Sequence, residues 1–190
     1  MMRWIPIGAA ALLLTFAPAC KKQQVTTGTT ETTGATGGTH AAALSKEDKE
    51  FITKAAQGGM LEVTLAQQIA NRATSPDVKA FAHRMVADHT KLNDELKQLA
   101  AKKGVTPPTQ MDEDHREDLE DITKLSGTKL DKKYADEMVD DHEDDVKEFR
   151  KAAEKVKDPE LRAWAAKALP ILESHLAQAR ELKAKVAPES

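Results

Sequence analysis

The sequence predicts an all-α protein whose folded part is a four-helix bundle. Three observations lead there. Apolar residues recur every three to four positions through four long segments, 46–73, 76–103, 128–157 and 159–186. Nearly every boundary of these segments carries a helix start or stop signal. No alternating apolar and polar run competes for strand structure.

Before the first helix, residues 1–20 carry one charged residue, Arg3, then an apolar run from Ile7 to Phe16, and close on Ala17-Pro18-Ala19-Cys20. This is the pattern of a secretory signal peptide. The run falls short of the about 20 residues that a spanning helix needs. Small residues ahead of the only cysteine give lipidation at Cys20 as the expectation. Plain cleavage after Ala19 is the alternative, because Ala17 stands where a lipobox usually has Leu and Pro18 is uncommon there. A lipid at Cys20 would make the membrane a partner. Lys21, not Asp, follows it, as in a Gram-negative outer-membrane sorting signal, so the expected location is exported, periplasmic and tethered to the outer membrane. Residues 21–43 are rich in Thr, Gly and Gln and too poor in large apolar groups to bury a core. They read as a flexible tether with a reach of about 25 Å, leaving 44–190 as the folded domain.

Ser45 begins the first helix as an N-cap, with Asp48 three residues on to complete a capping box. Its apolar stripe is Phe51, Ala55, Gly58, Glu62, Leu65, Ala66, Ile69 and Ala73. Ser75-Pro76 starts the second helix with an N-cap and a proline at the first helical position, and Gly104 ends it after Lys102 and Lys103. That stripe runs Val78, Phe81, Ala82, Met85, His89, Leu92, Leu96 and Leu99.

Residues 104–127 form a connection far longer than a helical hairpin needs. It opens on Val105-Thr106-Pro107-Pro108 and contains a short amphipathic helix around Leu119, Ile122 and Leu125. A 28-residue helix is about 42 Å long, and a connection of this size either returns along that length, as in crossover bundles, or decorates a simple up-down bundle. The third long helix presents Tyr134, Met138, His142, Asp145, Phe149, Ala152 and Val156. Asp158-Pro159 separates it from the fourth, whose Leu161, Ala165, Ala168, Leu172, His175, Ala179, Leu182 and Val186 alternate by four and three. Pro170 is expected to kink this helix or divide it.

One metal-capable side chain falls near the middle of each long helix, inside its apolar stripe: Glu62, His89, His142 and His175. Helices packed side by side would put the four at one level, facing inward. Asp145, one turn beyond His142, is a further candidate ligand. Asp88 and Asp141, at the edges of their stripes, are candidates to orient a neighbouring imidazole.

The second and third long helices echo each other at an offset of 53. Phe81-Ala82-x-x-Met85-Val86-x-Asp88-His89 matches Tyr134-Ala135-x-x-Met138-Val139-x-Asp141-His142. With the exported N-terminus, the stretch Gly58-Gly59-Met60-Leu61-Glu62-Val63 and Leu169-Pro170-x-Leu172-x-x-His175, the chain resembles the bacterial domain of unknown function 4142 family across nearly all of 46–185. The resemblance implies an exported protein of ferritin-like fold. That family has no established activity, so it transfers no catalytic residues.

Two readings of the polar layer stay open. Neutral imidazoles with a carboxylate suit one transition metal ion, iron, copper or zinc, for metal handling or stress protection. Alternatively the same groups satisfy one another as a metal-free network in a structural or interaction protein that recruits a protein partner. A bridged di-iron centre is disfavoured, because such bundles use Glu-x-x-His and the residues three before each histidine are Val86, Val139 and Leu172. The net charge is only −3 and no basic stripe or glycine-rich phosphate loop is present, which argues against nucleic acid and nucleotide. No nucleophile–base arrangement points to an enzyme. His40, His83 and His115 are read as solvated.

Overall fold

A core of levelled apolar stripes needs long, well-capped helices, and the caps form where the local sequence places them. The computed structural model describes residues 43–187. The expected signal peptide, Cys20, His40 and all but the last residue of the expected tether lie outside the described residues. Five α-helices follow one another: α1 (Lys46–Arg72), α2 (Pro76–Lys102), α3 (Glu113–Thr123), α4 (Gly127–Lys155) and α5 (Pro159–Val186). Among the described residues there is no strand, and no helix is long and apolar enough to cross a membrane.

Ser45 Oγ accepts from the Asp48 backbone N–H while the Asp48 carboxylate accepts from the Ser45 N–H, which closes the capping box of α1. Ser75 caps α2 ahead of Pro76. Gly104 adopts φ 69° just past α2, the left-handed conformation that glycine reaches without steric cost. Asp158 caps α5 by accepting from the Glu160 and Leu161 N–H groups. Pro170 does not divide α5: one helix runs through it.

Helix neighbours are fixed by contacts far apart in sequence. The Asp131 carboxylate in the first turns of α4 is 2 % exposed and accepts from the N–H groups of Thr74 and Ser75, tying the start of α4 to the α1–α2 turn. The Asp48 carboxylate, 1 % exposed in the first turn of α1, accepts from the Lys157 N–H between α4 and α5. Helix α1 therefore runs antiparallel to α4. At the other pair, Lys103 at the end of α2 meets Asp158 at the start of α5 at 2.8 Å, and Lys185 near the end of α5 meets Asp77 at 3.1 Å. Helix α2 is thus antiparallel to α5, and α2 and α4 run in the same direction. The chain between them, which includes α3, travels back along the helices, with Ile122 fully buried in the core.

The interior is layered. At one end Phe51, Phe149 and Trp164 cluster, with ring centroids 5.2 to 6.0 Å apart. At the other, Phe81 and Tyr134 lie 6.2 Å apart. Between these apolar layers sit the four polar side chains of the central level.

Candidate metal centre

Glu62, His89, His142 and His175 come from α1, α2, α4 and α5, and each is buried, with 0 to 3 % of its surface exposed. The three imidazoles form a near-equilateral triangle, with centroids 5.1, 5.3 and 5.6 Å apart. One nitrogen from each ring lies within 4.8 Å of the other two.

In a neutral ring, the hydrogen bonds assign which nitrogen keeps its lone pair. His142 Nδ1 lies 3.0 Å from the Met138 carbonyl, an acceptor, so Nδ1 carries the proton and Nε2 does not. His89 Nδ1 donates to Glu62 Oε2 at 2.5 Å, which leaves His89 Nε2 as the bare nitrogen. His175 Nε2 donates to Asp88 Oδ2 at 2.9 Å, which leaves Nδ1 bare. Arg84 holds Asp88 from the surface at 3.3 Å.

Each imidazole is therefore oriented by an acceptor behind it and presents a lone pair to the others, as histidines do when they ligate a metal. His89 Nε2 and His175 Nδ1 face each other at 3.2 Å. Two nitrogens bound at about 2.0–2.1 Å to one tetrahedral ion stand about 3.3 Å apart. His142 Nε2 and Glu62 Oε1 have no hydrogen-bond partner and lie 3.4 Å from each other, again lone pair against lone pair. In an interior where buried polar groups are nearly all satisfied, a cation between these atoms would resolve both contacts.

The electrostatics favour that arrangement. Burial drives the His175 imidazole down to about 4 despite Asp88, and it lowers His142 as well, so both rings are held neutral. Burial would raise Glu62, but the imidazoles of His89 and His142 and the bond from His89 hold its carboxyl below the ordinary value. Burial and then the Glu62 charge push Asp141 up to about 8 and keep Asp145 and the Tyr134 hydroxyl well above their usual ranges. Glu62 is thus the most acidic carboxyl of the layer, and burial holds the acids around it in the opposite direction.

The other candidates are placed differently. Asp88 orients His175. Asp141, half-buried, makes no such bond, and its Oδ2 is buried without a partner. Asp145, also half-buried, stands outside the three-nitrogen set. It lines a cavity of about 20 Å³ with Ala55, Gly59, Glu62, His89, Leu92, Asn93, Phe149, Trp164 and Leu172. His83 is exposed, and His115 is half-buried and pairs with Asp112 at 2.5 Å.

Sequence reasoning did not single out Arg84, Asn93 or Trp164. Arg84 was legible as the i, i+4 partner of Asp88. Asn93 carried no signal beyond lying one turn from His89, and it now donates to the Gly59 carbonyl at 2.8 Å. The Trp164 indole N–H is buried without a partner.

In overall fold the chain is similar to a DUF305 fragment from Deinococcus radiodurans, at 11% identity and a TM-score of 0.66, covering 75% of this chain and 98% of that one. It is also similar to a conserved hypothetical protein from Mycobacterium tuberculosis, at 15% identity and a TM-score of 0.57, covering 75% and 94%. No curated protein matches the chain. These likenesses speak to the helical fold alone. The family itself is set by sequence: a model described as a domain of unknown function, DUF4142, matches residues 33–182, and the chain belongs to that family.

Proposed function

We propose that the four long helices make a ferritin-like bundle, with α3 in its crossover, and that the bundle holds one transition metal ion on His89 Nε2, His142 Nε2 and His175 Nδ1. Glu62 Oε1 is positioned to complete or neutralise the site. One observation carries this reading: each of the three rings has one nitrogen tied to an acceptor, and a nitrogen from each ring lies within 4.8 Å of the other two. A nitrogen-rich set of this kind suits zinc, copper or iron as a mononuclear site. It does not suit a bridged carboxylate pair, and the residues three before each histidine, Val86, Val139 and Leu172, are apolar. The role we assign is metal handling or stress protection in the cell envelope, with the domain exported, lipid-anchored at Cys20 and tethered to the outer membrane.

The 3.2 Å approach of His89 to His175 also supports a second reading. A single proton shared there would make an imidazolium–imidazole bond, and the layer would be a metal-free network in a structural or partner-binding protein. The two readings differ in whether a proton or a metal ion lies between the same nitrogens. Elemental analysis of the full chain, purified without a histidine tag and reconstituted in turn with iron, copper and zinc, separates them. About one equivalent in the parent, lost in Glu62→Ala/His142→Ala, supports the metal centre. No metal after reconstitution overturns it in favour of the network.

A further inference from the structure

A centre buried between two aromatic layers needs a route by which an ion arrives, and this inference rests on the metal reading above. Two larger concavities do not provide one. The groove of about 540 Å³ between α1 and α4, lined by Lys54, Lys147, Lys151 and neighbouring acids, touches none of the candidate ligands. The depression of about 240 Å³ around Arg84, between α2 and α5, touches none either. On that side the His175 ring, backed by Asp88, closes the way. The small cavity of about 20 Å³ does reach the centre, because Glu62 and His89 both line it. Its size suits one water-sized particle, so a fully hydrated ion would have to shed waters against oxygen ligands to enter.

Oxygen ligands are available there. Asp145 and Glu62 line the cavity from two different helices, and Glu62, 3 % exposed, has its Oε1 free of any hydrogen bond. Trp164, whose indole N–H also lacks a partner, lines the same space and suits a water carried by the ion. Asn93, a half-exposed member of the lining, lies across Gly59 and donates to its carbonyl at 2.8 Å. A Cβ on Gly59 would stand 2.0 Å from Asn93 Oδ1, so this close seating exists only because residue 59 is glycine. Gly59 lies three residues before Glu62 and Asn93 four after His89, which puts this contact one turn from the centre on both helices.

We infer that this cavity is the entry station of the metal centre: a divalent cation pauses on Glu62 and on Asp145, whose carboxyl gives up its proton to water as the cation arrives, beside Asn93, and passes from there to the three histidines. As a station, Asp145 would govern how fast metal moves and not how much is held.

The test uses the full chain and cobalt(II), whose absorption reports uptake in stopped flow, with a chelator to follow release. Asn93→Ala is expected to speed uptake and release alike by about fivefold, the population change that follows loss of one hydrogen bond. Asp145→Asn is expected to slow both by about tenfold, the scale of local electrostatic enhancement of ion capture, with stoichiometry and affinity unchanged. Glu181→Ala, in the depression between α2 and α5, is expected to leave the rates as they are. Stoichiometric cobalt with parental rates in both Asn93→Ala and Asp145→Asn overturns the route and leaves the centre standing. So does a rate change confined to Glu181→Ala. A fall in affinity for Asp145→Asn as large as for His142→Ala would make Asp145 a resident ligand and overturn its role as a station. No cobalt in the parent overturns the centre and the route together.

Discussion

His89 Nε2 and His175 Nδ1 approach to 3.2 Å, and in neutral rings they meet as two lone pairs, because Glu62 accepts from the other nitrogen of His89 and Asp88 from the other nitrogen of His175. Between neutral rings this contact is unfavourable, and it persists because the surrounding helices hold both rings in place. Removing either histidine should therefore cost metal retention far more than it costs stability. His175→Ala is expected to lower zinc affinity by about a hundredfold or more, read by chelator competition. The metal-free melting temperature should fall less than loss of a buried ring normally implies.

Asp88 acts on the centre through His175. Asp88→Ala is expected to weaken zinc binding by about ten- to a hundredfold. Asp88→Asn, whose amide oxygen still accepts from His175 Nε2, is expected to recover most of it. Equal losses in the two variants would show that charge and not orientation is what Asp88 supplies.

The paired glycines of α1 separate packing from propensity. A Cβ at Gly59 meets Asn93 Oδ1 at 2.0 Å, whereas one at Gly58 meets nothing within 4 Å. Gly59→Ala should cost about 1–3 kcal/mol from overpacking. Gly58→Ala should stabilise by about 0.5–1 kcal/mol through helix propensity. Urea unfolding of the two variants checks both signs.

Lys103 and Asp158 give a pH dependence at a distance from the centre. Burial would raise Asp158, but the Lys103 ammonium and the N–H groups of Leu161 and Glu160 outweigh it and hold the carboxyl below its ordinary value. The Asp158 and Glu160 carboxylates hold Lys103 above its own. The stability from Asp158 is present above about pH 3.9 and lost as pH falls through the lower folded value. That from Lys103 is present below about pH 10.4 and lost as pH rises beyond it. Melting curves across pH should show parent and Lys103→Met furthest apart between these limits and converging outside them.

Asp131 shows what sequence could not reveal. It lies on a helix rich in acids and looks like any solvated aspartate, yet its carboxylate is buried and accepts from Thr74 N–H, Thr74 Oγ1 and Ser75 N–H. Its partners lie more than 50 positions away, so no local pattern marks it. Asp131→Ala should cost about 2–3 kcal/mol, because hydrogen bonds to a charged, buried acceptor are lost, measured by thermal unfolding.

By itself the sequence determined the helices, their caps and the common level of Glu62, His89, His142 and His175. Helical periodicity and rise fix which face each residue occupies and how far along the axis it stands. Tertiary structure decided everything that depends on neighbour order. It set α2 diagonal to α4 and beside α5, which turned Asp88 toward His175 and left its counterpart Asp141 near Glu62 with Oδ2 unpaired. It gave Glu62 to His89 as a hydrogen-bond partner, and it moved Asp145 off the three-nitrogen set into the adjoining cavity. A side chain's face is a local property of the helix. The atom it meets there is set by which helix packs opposite and in which rotamer, through contacts that span the whole chain.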